Sequence, residues 1–426
     1  MTEYTIPSLH IRNHSLAVPL DWSNPTGETI MLFAREVVDP MRKTENLPVL
    51  AFLQGGPGGK SPRPVGGAPG WLYQAIKTHR VLLIDQRGTG LSARIDAAQI
   101  GRFATGTQGA AYLSHFRADS IVKDCEHFRK TLFGGEKWET LGQSYGGFLT
   151  LTYLSKAPEG LKACYVTGGL AGLAAQADDV YRRTYPRVAA KTKAYYARYP
   201  EDMATVAQIA DLLESQDIRL PDGDRLTTRR FQSLGIDLGM STGAENIHWL
   251  VDEAFNPDPG ILSDVFLASV MAKSAYDDNP LFMVLQESLY GQNGVATNWS
   301  ASRILAEFPE FSAQSRPLMF TGEMMYPWML QDVRSLRPFA AAAEALARHP
   351  FEGTLYNPTV LAQNEVPVAA AVYFDDMYVD AGLSLETAEK VGNLRIWVTN
   401  EFEHDGLRQS GAVLQRLMDM VWRKIP

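Results

Sequence analysis

The sequence predicts an α/β protein in which a mostly parallel sheet, flanked by helices, is interrupted by a mainly helical insertion. Across residues 47–167, short apolar runs of strand character alternate with segments of helical period, as in a parallel sheet with covering helices. Across residues 169–352, helical periodicity, aromatic residues and Met predominate, and β-branched runs are few. The alternating pattern returns at residues 366–373 and 394–399, so the insertion separates two parts of one core.

These patterns divide the chain into three segments. We predict the first part of the core at residues 1–168, a helical cap domain at residues 169–352 and the second part of the core at residues 353–426. A helical insertion of this kind is typical of a lid over the strand ends, where α/β folds bind ligands.

The elements of the core follow in chain order. Alternating segments at residues 15–20 and 29–35 predict antiparallel edge strands. Ile121, Cys125, Phe128 and Leu132 keep a helical period, which predicts an amphipathic helix over residues 117–132. A second helix is expected at residues 412–424. Buried strands are expected at residues 48–53, 80–85, 138–141, 163–167, 366–373 and 394–399.

Composition excludes several classes of function. The chain has 426 residues, of which 45% are hydrophobic, and this suits a soluble enzyme with a large core. Its net charge of −8 is spread without a basic tract, which argues against a nucleic-acid partner. Because no secretory signal or membrane-spanning apolar run occurs, we expect a cytoplasmic protein with no membrane partner. Only two cysteines occur, Cys125 and Cys164, and this excludes a disulfide framework and a cysteine-based zinc site; their apolar contexts are typical of buried cytosolic thiols.

Two segments match the pattern G-x-S-x-G, one around Ser144 and one around Ser241. A nucleophilic serine of this type needs a strand, a tight turn and then a helix, so that its hydroxyl is exposed on a strained corner. Ser144 follows the predicted strand at residues 138–141 and precedes the apolar stretch at residues 148–154. Ser241 lies inside the helical insertion with no strand before it. We therefore predict that Ser144 is the nucleophile and that Ser241 belongs to a glycine-rich turn.

A serine nucleophile needs a histidine base and a carboxylate that orients the base. In this arrangement the chain order is nucleophile, acid, histidine, each after a later strand. Only His404 follows a late strand, and its alternative is a surface position between two acidic residues. His248 and His349 lie in or at the edge of the insertion. The remaining histidines precede Ser144: His10, His14, His79, His115 and His127.

The predicted acid lies at the end of the strand at residues 366–373. Asp375 and Asp376 both follow this strand, and we favour Asp376, with Asp375 as the second candidate. Asp380 lies further from the strand end.

A glycine-rich loop, Gln54-Gly55-Gly56-Pro57-Gly58-Gly59, follows the predicted strand at residues 48–53. Backbone N–H groups without obstructing side chains suit an oxyanion hole, the site that binds the negative oxygen formed during acyl transfer. We predict that Gly55 or Gly56 forms this hole with the amide of Tyr145. A phosphate-binding loop is the alternative, but its sequence patterns are absent.

Three motifs stand in a characteristic order. They are the glycine loop, then Asp85-Gln86-Arg87-Gly88-Thr89-Gly90-Leu91-Ser92, then Gly142-Gln143-Ser144-Tyr145-Gly146-Gly147. In order and spacing they resemble those of the proline iminopeptidases, or prolyl aminopeptidases, which are serine peptidases. The D-Q-R-G-x-G-x-S run is the most specific. The similarity spans nearly the whole chain and is strongest to the longer bacterial branch, including Phe320-Thr321-Gly322-Glu323-Met324 and Glu401-Phe402-Glu403-His404.

This resemblance implies an α/β-hydrolase core with a helical cap. It implies removal of N-terminal proline from peptide substrates without a metal or organic cofactor, by the triad Ser144, Asp376 and His404. By motif position it also implies that Glu287 and Glu323 bind the free amino terminus, a role that suits carboxylates because their hydrogen bonds to an ammonium group are charge-assisted.

Two departures from the family pattern occur. Gln54 stands where many members have histidine, and the acid loop reads Phe374-Asp375-Asp376-Met377 where R-Y-D is commoner. Tyr145 and Phe320 are the candidates for lining a proline pocket.

Two other functions are compatible with such a scaffold. A carboxylesterase or amidase would use the same triad on a different acyl group, since a fold does not determine its substrate. A ligand-binding protein that has lost catalysis is the second alternative, and the presence of Ser144, His404 and the glycine loop argues against it.

Overall fold

A nine-stranded sheet lies at the centre of the computed structural model, which describes residues 2–66, 70–257 and 260–425. The strand order across the sheet is β1-β2-β3-β5-β4-β6-β7-β8-β9. The strands are β1 (Thr2–Ile6), β2 (Leu9–Pro19), β3 (Thr29–Val38), β4 (Val49–Leu53), β5 (Arg80–Asp85), β6 (Trp138–Gln143), β7 (Leu161–Thr167), β8 (Val368–Tyr373) and β9 (Leu394–Thr399).

The two directions of pairing divide the sheet. Strands β1, β2 and β3 pair in an antiparallel manner with one another, and β3 pairs antiparallel with β5. From β5 through β4 to β9 every neighbouring pair is parallel. The predicted antiparallel edge and parallel centre are therefore confirmed. Strand β1 was not predicted, because its residues are almost all exposed and show no apolar alternation.

Helices cover both faces of the sheet and fill the stretch between β7 and β8. They are α1 (Trp71–Ala75), α2 (Ala97–Ile100), α3 (Gly106–Ser114), α4 (Ala118–Leu132), α5 (Tyr145–Lys156), α6 (Ala177–Arg198), α7 (Asp202–Ser215), α8 (Thr228–Gln232), α9 (Gly243–Asp252), α10 (Asp264–Ser274), α11 (Pro280–Leu285), α12 (Ser300–Ile304), α13 (Met329–Asp332), α14 (Ala340–Ala347), α15 (Pro358–Ala362), α16 (Ala381–Ala388), α17 (Gly406–Gln409) and α18 (Gly411–Val421).

We call residues 177–362, from α6 to α15, the helical block. Besides its α-helices it contains 3₁₀ segments, two of which, Ser233–Gly239 and Glu287–Tyr290, carry residues of the site. The predicted helical insertion into the sheet is thus seen, while the domain limits at 168/169 and 352/353 stay a prediction. Among the described helices, none combines the length and the apolar character that crossing a membrane requires.

The apolar residues form two clusters, one on each face of the sheet. Side chains alternate along β4, so Leu50 and Phe52 join the cluster under α1 and α18, while Ala51 and Leu53 join the other cluster. That second cluster continues without interruption from α4 and α5 into the helical block, where it includes Phe231. The helical block is therefore packed onto the core as part of the same hydrophobic interior.

Candidate active site

Ser144 occupies a strained turn between β6 and α5. Its backbone angles are φ 56° and ψ −125°, a conformation that side-chain-bearing residues rarely adopt. Glycine is required on both sides of it, because a Cβ on Gly142 would lie 2.6 Å from the carbonyl carbon of Gly146, and one on Gly146 would lie 2.7 Å from that of Leu53. The turn leaves the Ser144 side chain partly exposed. This is the strand–turn–helix geometry that presents a nucleophilic hydroxyl.

Ser241 has a different setting. It follows the 3₁₀ segment Ser233–Gly239 and precedes α9, with no strand before it and no positive φ. Its amide and its hydroxyl both donate to Oδ1 of Asp405, at 3.1 and 2.6 Å. The hydroxyl of Ser241 is thus engaged with a neighbour of His404.

His404 and Asp376 meet at the ends of β8 and β9. Nδ1 of His404 lies 2.6 Å from Oδ2 of Asp376, and both side chains are buried. The other oxygen, Oδ1, accepts the amides of Tyr378 and Val379 at 2.8 and 3.1 Å. These bonds hold the carboxylate in one orientation. Asp375, the second candidate from the sequence, is exposed to solvent.

The bond to Asp376 determines which nitrogen of His404 carries a proton. A carboxylate only accepts hydrogen bonds, so Nδ1 is protonated and the neutral ring has its free lone pair on Nε2. Burial alone would lower the pKa of His404, but the negative charge of Asp376, its hydrogen bond and the charge of Glu323 together raise that pKa above its ordinary value.

Ser144 and His404 lie on either side of the dipeptide Gly168-Gly169, which follows β7. A Cβ on Gly168 would lie 3.1 Å from Nδ1 of His404, and one on Gly169 would collide with the carbonyl oxygen of Ser144. Among the described residues, no hydrogen bond joins the Ser144 hydroxyl to the His404 ring. Such bonds are often long or absent before substrate binds and tighten in the complex.

The glycine loop after β4 runs directly beside the nucleophile. A Cβ on Gly55 would lie 2.7 Å from Cβ of Ser144, and Gly56 has a φ of 121° that favours glycine. Tyr145 is the first residue of α5, where an amide has no acceptor within the helix. The structure therefore places Gly55 and the Tyr145 amide beside Ser144, with Gly56 next to Gly55 in the loop. The Tyr145 ring is buried and packs on Phe148.

Glu287 lies in the helical block, and each of its carboxylate oxygens accepts a hydrogen bond from a backbone amide. Its two oxygens accept the amides of Ser300 and Ala301 at the start of α12, each at 2.8 Å. Burial raises the pKa of Glu287 to about 7, although these amide bonds lower it.

Glu323 is an acidic group of the helical block whose charge interacts with both His404 and Asp376. Burial raises the pKa of Glu323 to about 7; the charge of His404 lowers that pKa and the charge of Asp376 raises it. Neither this carboxylate nor that of Glu287 has a described salt bridge to Lys or Arg. The two acidic groups lie in one region of the helical block, since both act on Tyr181.

The chain is similar in sequence to one family model and to known proteins. Residues 48–254 match the family model described as alpha/beta hydrolase fold. Over 418 residues the chain is 45% identical to the "Proline iminopeptidase" of Aeromonas sobria, and the alignment covers 97% of each chain. This chain belongs to the proline iminopeptidase family.

A second member of the proline iminopeptidase family supports the assignment. "Proline iminopeptidase aneH" of Aspergillus aculeatus is 36% identical over 405 residues, which cover 93% of this chain and 90% of the relative. The family resemblance predicted from the three motifs is confirmed, and so is the α/β-hydrolase fold.

The D-Q-R-G-x-G-x-S run stabilises the scaffold of this family member. Arg87 is fully buried, makes two bonds to Asp124 at 2.7 and 2.6 Å, and donates to three backbone carbonyls. The Asp85 carboxylate accepts hydrogen bonds from both terminal nitrogens of Arg63 and from the backbone amides of Ser61 and Leu91. Gln86 donates to the carbonyl of Gln54 at 2.8 Å and so holds the glycine loop.

Two polar residues near the glutamates were missed by sequence reasoning. Gln286 and Tyr181 are almost fully buried. Within the described part of the chain, neither Oε1 of Gln286 nor the Tyr181 hydroxyl has a hydrogen-bond partner. The Gln286 side chain lowers the pKa of Glu323, and both glutamates help to raise that of Tyr181. In the sequence they look like ordinary helix residues. The one clue to the position of Gln286 in the sequence is that it directly precedes Glu287.

The pocket candidate Phe320 lies inside an aromatic cluster, with its ring 5.6 Å from that of Phe231 and 5.9 Å from that of Tyr195. Its role in a proline pocket stays a prediction.

One group of potential metal ligands occurs in the described part of the chain. Glu201, Asp202 and His248 place ligand atoms within 4.8 Å of one another. Asp202 already accepts from Tyr195 and His248, and Glu201 is exposed. None of these residues belongs to the Ser144 site.

Proposed function

We propose that this protein is a serine aminopeptidase that releases N-terminal proline from peptides through a prolyl-enzyme intermediate. The observation that carries the proposal is the position of Glu323, a mostly buried carboxylate whose charge interacts with both His404 and Asp376. A carboxylate held there suits a substrate whose positive amino group lies next to the bond that is cut. The family membership shown by the relatives supports the same substrate class.

In the proposed acylation, Ser144 Oγ attacks the carbonyl carbon of the N-terminal proline and gives its proton to Nε2 of His404. Asp376 keeps the imidazole in the required tautomer and stabilises the imidazolium that forms. The carbonyl oxygen becomes negative and is bound by the amide of Tyr145 together with that of Gly55 or Gly56. His404 then protonates the leaving amine as the C–N bond breaks.

Deacylation repeats these roles with water. His404 takes a proton from a water molecule, the resulting hydroxide attacks the prolyl ester, and Ser144 recovers its proton as free proline leaves. These steps use side chains and backbone amides alone, so the proposal includes no metal or organic cofactor.

Recognition of the amino terminus is assigned to Glu323 and Glu287. A secondary ammonium group, as in N-terminal proline, offers two N–H donors and one positive charge. It would neutralise a region in which neither glutamate has a described salt bridge to Lys or Arg, although the charge of Arg303 acts on Glu287. The Glu287 oxygens already accept amides, so we assign Glu287 mainly an electrostatic role and Glu323 the direct contact.

The proposal includes the cytoplasm as the compartment. Cys125 and Cys164 are free, buried thiols, which fits a reducing environment.

A substrate series tests the function. Prolyl anilide, alanyl anilide, amino-blocked prolyl anilide and a simple ester are offered to the wild type and to Ser144→Ala, Glu287→Gln and Glu323→Gln. We expect prolyl anilide to be preferred and the blocked compound to be inert. We expect no activity in Ser144→Ala, and in Glu323→Gln a loss of activity on prolyl anilide that is larger than any loss on the simple ester. Equal turnover of blocked and unblocked anilides would instead indicate an esterase or amidase.

A further inference from the structure

The loop that carries His404 is tied to the helical block at three consecutive residues. Nζ of Lys191 donates to Oε1 of Glu403 at 2.5 Å. The amide of His404 donates to the carbonyl of Gly239 at 3.1 Å. The carboxylate of Asp405 accepts both the amide and the hydroxyl of Ser241. Each partner comes from α6 or from the turn between Ser233–Gly239 and α9.

The aromatic ring of Tyr378 strengthens this junction. It meets the His404 ring edge-on, with centroids 4.8 Å apart, and it packs directly against Gly239. Its hydroxyl donates to the carbonyl of Ile236. The side chain of His404 is therefore oriented by Asp376 of the core, while its backbone is placed by the helical block.

The position of β9 explains why such a tie is needed. β9 is the edge strand of the sheet, paired on one side only with β8, and most of its residues are partly or fully exposed. The loop after it has no further strand to hold it. Asp405 is buried, and besides Ser241 its side-chain donor is Gln409, four residues along the chain. Without the Ser241 hydroxyl, this carboxylate loses its shortest hydrogen bond.

We propose that Ser241, through Asp405, is a positioning residue that holds His404 in place to accept the proton of Ser144. The second G-x-S-x-G segment then serves the same reaction as the first without touching substrate. This inference rests on the proposed function for the roles of Ser144 and His404.

The test compares Ser241→Ala with Ser241→Thr, which retains a hydroxyl. Because Ser241 is exposed, the alanine variant is expected to fold. The first measurement is the rate at which a fluorophosphonate probe labels Ser144. This labelling depends on His404 as the base but does not require a peptide substrate to bind. The second is the steady-state hydrolysis of prolyl anilide.

We expect Ser241→Ala to lower both the labelling rate and kcat by about tenfold, the effect of losing one hydrogen bond to a carboxylate. KM is expected to stay unchanged, and Ser241→Thr is expected to recover most of the loss. Ser23→Ala is the matched control, because the amide and hydroxyl of Ser23 donate to Asp21 in an exposed turn in the same way. It is expected to behave like the wild type.

Two results would overturn the positioning role alone. One is an unchanged labelling rate in Ser241→Ala while His404→Ala abolishes labelling, which leaves the proposed function intact. The other is an equal loss in the alanine and threonine variants, which would mean that the hydroxyl does not act through its hydrogen bond. If the wild type is not labelled at Ser144, both the proposed function and the positioning role are wrong.

Discussion

Single residues in this site act mainly through charge. His404 is surrounded by Asp376, which bonds to its ring, by Glu323 from the helical block and by Arg408 from α17. The two carboxylates favour the imidazolium and the guanidinium opposes it. The fraction of His404 that is free to act as a base at a given pH therefore depends on a residue assigned to substrate recognition.

Replacing Glu323 by Gln is expected to change both binding and pH dependence. Loss of the carboxylate should lower kcat/KM for prolyl anilide by roughly 10- to 100-fold, because a charge-assisted hydrogen bond is removed. It should also lower the pKa of His404, since the negative charge of Glu323 raises that pKa. The acid limb of the kcat/KM profile should then move to lower pH.

The matched control is Glu310→Gln, which removes an exposed carboxylate from the same helical block. Its profile should match that of the wild type. An acid limb at the wild-type pH in Glu323→Gln would show that Glu323 does not act on His404.

At the scale of elements, the glycine loop after β4 and the turn before α5 must approach each other closely. Gly55 lies against Ser144, and its loop is held by Gln86 from the end of β5. The proposed oxyanion hole thus depends on the parallel order of β4, β5 and β6, which brings their carboxyl ends to one edge of the sheet.

Gly55→Ala is expected to lower kcat strongly while the protein stays folded. Its Cβ would meet Cβ of Ser144 and the carbonyl oxygen of Gln143, each at 2.7 Å, so the loop must move away from the nucleophile. A displaced oxyanion donor costs on the order of 100-fold in kcat. Steady-state kinetics and circular dichroism measure the two effects.

Gly223→Ala provides the comparison, because its φ of 86° also favours glycine but its Cβ would meet nothing within 4 Å. It should lower stability and leave kcat unchanged. Equal kcat in Gly55→Ala and the wild type would exclude Gly55 from the hole.

The sequence predicts correctly the strands whose runs of apolar residues indicate that they are buried. Strands β5 and β9 have the predicted bounds, and β4, β6 and β7 differ by at most a few residues. It failed for β1, which pairs through its backbone while its side chains are exposed, and it placed the start of β2 six residues late. The short 3₁₀ segments of the helical block leave no periodic signal.

The same limit applies to the site. Ser144, Asp376 and His404 were selected because strand ends converge in such folds, and the structure brings Asp376 and His404 into contact. The pairing of Ser241 with Asp405 joins residues 164 positions apart, and the unpartnered atoms of Gln286 and Tyr181 arise only from packing. Local patterns carry no information about either.

At the scale of the whole molecule, one hydrophobic cluster extends from the sheet into the helical block. Glu287 and Glu323 are acidic groups of this block, and burying them in ionised form lowers the free energy of unfolding. Glu323 has an ordinary pKa of 4.5 and a folded pKa of about 7, so the fold favours its neutral form.

This cost predicts that Glu323→Gln stabilises the protein in a pH-dependent way. Below pH 4.5 the wild-type carboxyl is neutral in both states and the cost is absent; it grows between pH 4.5 and 7 and is complete above pH 7. The variant should gain up to about 3 kcal/mol in free energy of unfolding at pH 8. Urea unfolding at pH 5 and pH 8 measures the difference.

Glu310→Gln should show no such gain, because its carboxylate is exposed. A Glu323 variant that is less stable than the wild type at pH 8 would contradict the prediction.

The buried Arg87 also bears on how such proteins are found. From the loop after β5 it bonds to the end of β2, to the residue directly after α3 and to the middle of α4. These contacts would be the same whichever acyl group the enzyme removed. Searching genomes for the D-Q-R-G run would therefore collect scaffolds, including ones that act on other substrates. If the proposed recognition role is right, sorting those sequences by specificity requires the scattered positions of the helical block, with Gln286, Glu287 and Glu323 first among them.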